Sequence, residues 1–286
     1  MVGLAPGPGI NIQNVKYYFF CIDSKGSGAF TPLFLSDRPV DNKNIKLILA
    51  YDGTKYHGWQ RQKKDITIQG IIEDMIQKMT GEQVKLISSG RTDAGVHAVN
   101  QVCNFITGSN LDPETIKKGL NSLLPDDILI KKAACMPLEF HSRHCAKSKT
   151  YNYRILNSKA PDIFRRNYLW HIRVPLKKNK MAKCLPIILG RHDFTSFKSS
   201  GSGNTDPVRS VIRAEFHNLE DGLFSFHIEA NGFLRHMVRN IVGTLVEVGL
   251  GKMDVNRFKE VFDSKNRCLA GKMAPPQGLF LLNVQY

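Results

Sequence analysis

An α+β fold of two ferredoxin-like halves is what this sequence predicts, and three observations predict it. Runs of strand and helix pattern follow one another as β-α-β-β-α-β, and the same order then occurs a second time. The chain is 286 residues long and 42% hydrophobic, enough to bury a sizeable core. The two halves divide near residue 148, giving one unit over 44–148 and another over 149–286. Their sheets are expected to join into one antiparallel or mixed sheet, so that loops of both halves face a central cleft.

Residues 1–43 stand outside this pattern. Pro6-Gly7-Pro8-Gly9 and Gly26-Ser27-Gly28 are turn-forming, so poor order is expected there. The aromatic cluster Tyr17-Tyr18-Phe19-Phe20 is the exception, with the character of an added strand.

The first half opens with a strand from Ile45 to Tyr51. Thr67 then caps a helix whose apolar residues Ile68, Ile71, Ile72, Met75, Ile76 and Met79 recur at helical spacing, and Gly81 ends it. Strands over 84–88 and 98–106 follow, Asp112 and Pro113 open a second helix, and Ile128 to Ala134 is a strand. In the second half, strands cover 149–156, 209–217, 223–230 and 279–285, the middle two joined through Asp221-Gly222. Helices cover 179–190 and 234–248, with a short extra one after Asp254. Pro186 sits inside the first of these, which is expected to kink or end early.

Between the strands at 84–88 and 98–106 lies Gly90-Arg91-Thr92-Asp93-Ala94-Gly95-Val96-His97-Ala98. A hairpin needs only two to five turn residues, with no call for an arginine and an aspartate so close together. Arg91 is able to hold a carboxylate ionised, which makes Asp93 a candidate nucleophile or base. On local chemistry alone the simpler reading is an aspartate that caps its own turn.

Charge points to the partner. There are 40 Lys and Arg against 25 Asp and Glu, a net charge of +15. From His141 to Lys183, twelve Lys and Arg face the single acid Asp162, with Tyr151, Tyr153, Phe164, Tyr168 and Trp170 interleaved. Such a segment suits phosphate contacts and stacking on unpaired bases. The six cysteines form no Cys-x-x-Cys pair and no ligand spacing with histidine, so no metal is implied. No signal-peptide pattern and no apolar run of spanning length is seen, so reduced thiols, a cytoplasmic home and no membrane association are expected.

The nine residues around Asp93 resemble the active-site motif of the TruA family of tRNA pseudouridine synthases. The resemblance continues in Tyr51-Asp52-Gly53-Thr54-Lys55-Tyr56-His57-Gly58-Trp59-Gln60, in Lys149-Thr150-Tyr151-Asn152-Tyr153 and in His192-Asp193-Phe194-Thr195-Ser196-Phe197. It closes with Met237-Val238-Arg239-Asn240-Ile241-Val242-Gly243 and Pro276-Gln277-Gly278-Leu279.

This resemblance implies isomerisation of uridine to pseudouridine in the anticodon stem-loop of tRNA, at positions 38 to 40. It implies Asp93 as the catalytic aspartate, with no metal or small-molecule cofactor, since nothing is oxidised or hydrolysed. It matches Tyr151 to the tyrosine that stacks on uracil, where alternation along a strand alone reads as core. It matches Arg239 to an arginine paired with the aspartate, where the helix alone reads as solvated, the reading that stays for Arg235. Arg91 corresponds to the arginine that enters the RNA stack as the nucleotide flips, and His57, Trp59, Gln60 and Arg61 to an RNA-gripping loop. A homodimer gripping tRNA is implied as well. His97 reads as structural, and Phe194 and Phe197 as core. Two alternatives stay open: a non-catalytic RNA-binding module, and a synthase for a different set of uridines.

Overall fold

The computed structural model describes residues 18–22, 28–32, 42–201 and 206–286. The described residues 18–22 and 28–32 belong to one unit and those from 42 to 286 to a second. In the first, strands β1 (Tyr18–Ile22) and β2 (Gly28–Pro32) pair antiparallel with each other. Tyr17 and most of the segment expected to be poorly ordered lie outside the described residues, as do 202–205 of the loop Lys198 to Pro207.

The second unit carries a ten-stranded mixed sheet. Its elements are β3 (Lys43–Tyr51), α1 (Ile68–Thr80), β4 (Ile87–Ser88), β5 (His97–Thr107), α2 (Pro113–Leu123), β6 (Ile128–Met136), β7 (Ser148–Asn157) and β8 (Trp170–Ile172). They continue with α3 (Lys178–Lys183), α4 (Leu185–Ile188), β9 (Gly190–Asp193), β10 (Val208–Asn218), β11 (Leu223–Ala230), α5 (Met237–Gly249), α6 (Val255–Asp263) and β12 (Leu279–Gln285).

The order β6-β3-β5, with β4 on the far side of β5, is that of a ferredoxin-like unit, and β12-β7-β11-β10 repeats it. The expected fold class is therefore the one observed. The halves meet where β5 pairs in parallel with β12, through His97 with Phe280 and Ala98 with Leu281. That junction comes four residues after Asp93, which brings the second half against the Asp93 loop.

Local chemistry explains the elements. Thr67 accepts from the Gly70 amide at the start of α1, and Gly81 closes it at φ 78°. Asp112 accepts from the Glu114 and Thr115 amides at the start of α2. Ile45, Leu47, Leu49 and Tyr51 alternate inward along β3 and pack with Ile68, Ile72 and Ile76 of α1 in the core.

Three points of local structure have a physical reason. The strand expected over 84–88 is only Ile87–Ser88, because Leu86 hands its backbone groups to α1: its N–H donates to Glu73 Oε1 at 2.9 Å and its carbonyl accepts from Gln69. The helix over 179–190, expected to kink or end early at Pro186, is split into α3 and α4 at Cys184, since Pro186 has no N–H to continue the ladder. β8 and β9 add three and four residues to the sheet, runs too short to show a period.

Candidate active site

Two loops build the floor of the site. The loop after β3 and the loop before β5 are stitched together: the Trp59 amide donates to the Thr92 carbonyl at 3.0 Å, and the Gly95 amide to the Tyr56 carbonyl at 3.3 Å. Gly58 makes this approach possible. It sits at φ +87°, and a Cβ there would lie 2.6 Å from the Thr92 carbonyl oxygen. Thr92 turns into the core, where its hydroxyl bonds the Tyr51 hydroxyl at 2.7 Å. Asp93, the next residue, turns the other way, into an open cleft of about 1180 Å³.

The second half supplies the partners of Asp93. Arg239 on α5 is 8% exposed, and its Nη1 donates to Asp93 Oδ2 at 2.9 Å. Its Nε donates to the Ala274 carbonyl at 2.8 Å, so the guanidinium is aimed by two contacts. His236, immediately before α5, brings Nε2 to 3.4 Å from Asp93 Oδ1. Burial pushes the Asp93 carboxyl pKa up, but His236 and Arg239 outweigh it and hold the carboxyl below its ordinary value. The carboxylate is thus ionised at neutral pH.

A stability consequence follows from the sign of that shift. A folded-state pKa below the unfolded one gives stabilisation that is present above about pH 4 and lost as pH falls through the lowered value. The melting-temperature advantage of wild type over Asp93→Asn is expected to be constant near neutrality and to shrink below about pH 4. An advantage that grows on acidification would contradict the ionised pair.

The cleft gathers six of the eight site residues expected from sequence: His57, Gln60, Arg91, Asp93, Tyr151 and Arg239 all line it. Tyr151 is 7% exposed, packs edge-on against Phe233 with ring centroids 5.0 Å apart, and stays a neutral phenol because burial raises its pKa. Arg91 is exposed at the cleft surface.

Trp59 and Arg61 stand apart. Trp59 is 1% exposed and packs in the core. The Arg61 guanidinium is clamped to α1, with Nε donating to Glu73 at 2.7 Å and Nη2 to the Gly70 carbonyl at 2.8 Å. These two hold the loop that presents His57 and Gln60.

Other expectations divide similarly. His97 is 2% exposed, with Nδ1 at the Gly53 amide and Nε2 at the Asn167 carbonyl, and Phe194 and Phe197 are fully buried. Arg235, expected to be solvated, is exposed and donates to the Ser200 carbonyl at 3.0 Å. Of the twelve cations between His141 and Lys183, only Arg143 and Lys149 line the cleft. Others cover apolar faces elsewhere, Arg154 over the Phe280 ring and Lys178 over Phe224. Lys149 is half-buried, and burial, then Arg143 and Arg209, lowers its pKa to about 8. His236 was not among the expected residues, and nothing in the local sequence signals it. Among the described residues no cluster of His, Cys, Asp or Glu is arranged to hold a metal.

Arg91, Arg143, Lys149, Arg209, Arg235 and Arg239 line the cleft against two aspartates, Asp93 and Asp206, a cationic lining that suits a polyanion. A family profile described as tRNA pseudouridine synthase matches residues 47–144 and 187–286, and the chain belongs to that family of isomerases. It is 46% identical over 244 residues to tRNA pseudouridine synthase A of Thermoanaerobacter sp. strain X514, covering 85% of this chain and all of that one. The enzyme of the same name from Acetivibrio thermocellus is 44% identical over the same span, again covering 85% of this chain and all of that one. Among solved structures, a chain of an archaeal box H/ACA sRNP Nop10-Cbf5 complex aligns with a TM-score of 0.32 and 11% identity, over 83% of this chain and 48% of that chain, too distant to inform the site.

Proposed function

We propose that the protein isomerises uridine to pseudouridine in the anticodon stem-loop of tRNA, at positions 38 to 40, with Asp93 as the catalytic carboxylate. The observation that carries this reading is the Arg239–Asp93 contact of 2.9 Å at the floor of a basic cleft, made across the two halves of the molecule. The reaction breaks the N1–C1′ glycosidic bond, turns the uracil, forms a C5–C1′ bond and releases the C5 proton. An ionised carboxylate serves it by either of two routes, as a nucleophile or as a base that takes a sugar proton.

Tyr151 stacks on the uracil, its ring set in the cleft wall by Phe233. Arg91, exposed and planar, enters the RNA stack in place of the flipped nucleotide, and His57 and Gln60 contact the RNA beside it. The halves 44–148 and 149–286 act as two domains that share this one site. A homodimer in the cytoplasm is the working form. The resemblance to the family supports the dimer, and the free thiols Cys103, Cys135, Cys145, Cys184 and Cys268 suit a reducing compartment. Among the described residues no helix is long and apolar enough to cross a membrane.

Incubation with tRNA whose uridines carry tritium at C5 tests the reaction, since isomerisation must release that hydrogen. Release followed by mapping of pseudouridine to 38 to 40 is the expected result. Release from other positions overturns the assignment of the stem-loop, and no release from folded protein overturns the isomerase reading. Binding is expected to weaken at least about a hundredfold between about 50 and about 200 mM salt, as the cationic cleft displaces counterions. Titration of labelled tRNA across that range checks it, and an affinity indifferent to salt would count against an RNA-filled cleft.

A further inference from the structure

α5 begins in a way that helix physics does not favour. His236 precedes its first turn in left-handed backbone, φ 62° and ψ 7°, a region that side-chain-bearing residues seldom occupy. A residue in that position ordinarily caps the helix by accepting from its first amides, and His236 makes no such bond. Its ring is turned to the carboxylate instead, with Nε2 at 3.4 Å from Asp93 Oδ1. Arg239, three residues on and so on the same helix face, takes the other oxygen, Oδ2. Strained backbone, a forgone cap and an aimed side chain coincide at one residue, and such strain persists only where the surroundings impose it.

We propose that His236 is a positioning residue, holding the Asp93 carboxylate from Oδ1 while Arg239 holds it from Oδ2. The proposal rests on the reading of Asp93 as the group that does the chemistry. With the proton on Nε2, the imidazole donates to Oδ1 whether or not the ring carries a charge. Two donors on opposite oxygens fix the plane of the carboxylate, which a single arginine leaves free to turn. They also oppose the tendency of a half-enclosed carboxyl to take up a proton.

Other charged and titratable groups face the same space: His57 and Arg91 from the loops, Lys149 and Tyr151 from β7, and Arg235 and Arg239 from the second half. Arg143, Asp206 and Arg209 complete the charged lining. Most of these are cations fixed on the walls, so the acid limb of the reaction reports on Asp93 and its two direct partners.

The experiment is single-turnover tritium release from C5-labelled tRNA by the full chain, from about pH 3 to about pH 9, a range that takes in the lowered titration of Asp93. Wild type is compared with His236→Asn, His236→Gln and Asp93→Asn. Asparagine accepts left-handed backbone and is too short to reach Oδ1, so His236→Asn removes the contact without adding strain. Its rate is expected to fall about ten- to a hundredfold, as for loss of one hydrogen bond to a charged group. Its acid limb is expected to move to higher pH, because burial then acts against one donor fewer. Glutamine carries an amide N–H at about the place of Nε2, and His236→Gln is expected to recover most of the rate and to return the limb.

A His236→Asn protein with an unmoved acid limb, or a loss that glutamine does not recover, would overturn the proposal and leave His236 a structural residue. If His236→Asn fails to fold, an acid limb in His236→Ala that matches wild type does the same. Release by Asp93→Asn would instead sink the reading of Asp93 itself, a separate outcome.

Discussion

Asp93→Asn is expected to lower the rate of tritium release from C5-labelled tRNA by at least about 10⁴-fold, the scale seen when the one reacting side chain is removed. Binding is expected to stay level or to tighten, because the substitution deletes a negative charge from a cleft lined by Arg91, Arg143, Lys149, Arg209 and Arg235. These opposite directions make the experiment informative. Arg239 keeps its bond to the Ala274 carbonyl but loses its anion, and at 8% exposure that costs about 1–2 kcal/mol, less than for a sealed pair because Asp93 is 30% exposed. Measured tRNA affinity and melting temperature alongside the rate separate catalysis from folding. Activity within about tenfold of wild type would remove Asp93 from the chemistry.

Gly243→Ala is expected to do nearly as much harm from a position that touches no substrate. A Cβ at residue 243 would lie 1.7 Å from the Lys272 carbonyl oxygen and 2.9 Å from its carbon. The obstruction is backbone, so no side chain can rotate away. Alanine gains about 1 kcal/mol of helix propensity inside α5. The displacement of segment 272–274 costs about 3 kcal/mol or more, so the clash wins by about 2 kcal/mol. The same segment supplies the Ala274 carbonyl that aims Arg239, and the Ala274 amide donates to the Arg239 carbonyl at 3.0 Å. A shift there moves the guanidinium relative to Asp93, and kcat is expected to drop about a hundredfold with little change in KM. Wild-type kcat with a lowered melting temperature would show that the aim of Arg239 tolerates the shift.

Much of this was legible before the structure. The apolar spacing of α1, its cap at Thr67 and its stop at Gly81 are local matters, decided by the chain within a turn or two, and they were read correctly. The Asp93 loop was legible because its residues are costly for a plain turn. Arg239 required the resemblance, since nothing along α5 tells that one arginine meets an aspartate from the other half. His236 was invisible for a stronger reason: its left-handed backbone is set by packing at the start of α5, against its own local preference.

The basic segment from His141 to Lys183 is spread over the fold rather than gathered at the cleft. Twelve cations adjacent in sequence lie on strands, loops and a helix that face different ways, so only Arg143 and Lys149 reach the cleft. Sequence proximity measures charge per residue, whereas binding depends on charge per face.

The join between β5 and β12 is two residue pairs long, whereas β3 with β5 and β7 with β11 are each paired over eight. Each half is a ladder with its own helices, and side-chain bonds such as Lys149 Nζ to the Ser89 carbonyl and Asn100 Nδ2 to the Leu282 carbonyl add to the tie between them. Asp93 sits on one side of that tie and Arg239 on the other. The reacting carboxylate and its arginine therefore belong to different ladders of one sheet, and any change in the pairing of β5 with β12 reaches the contact between them.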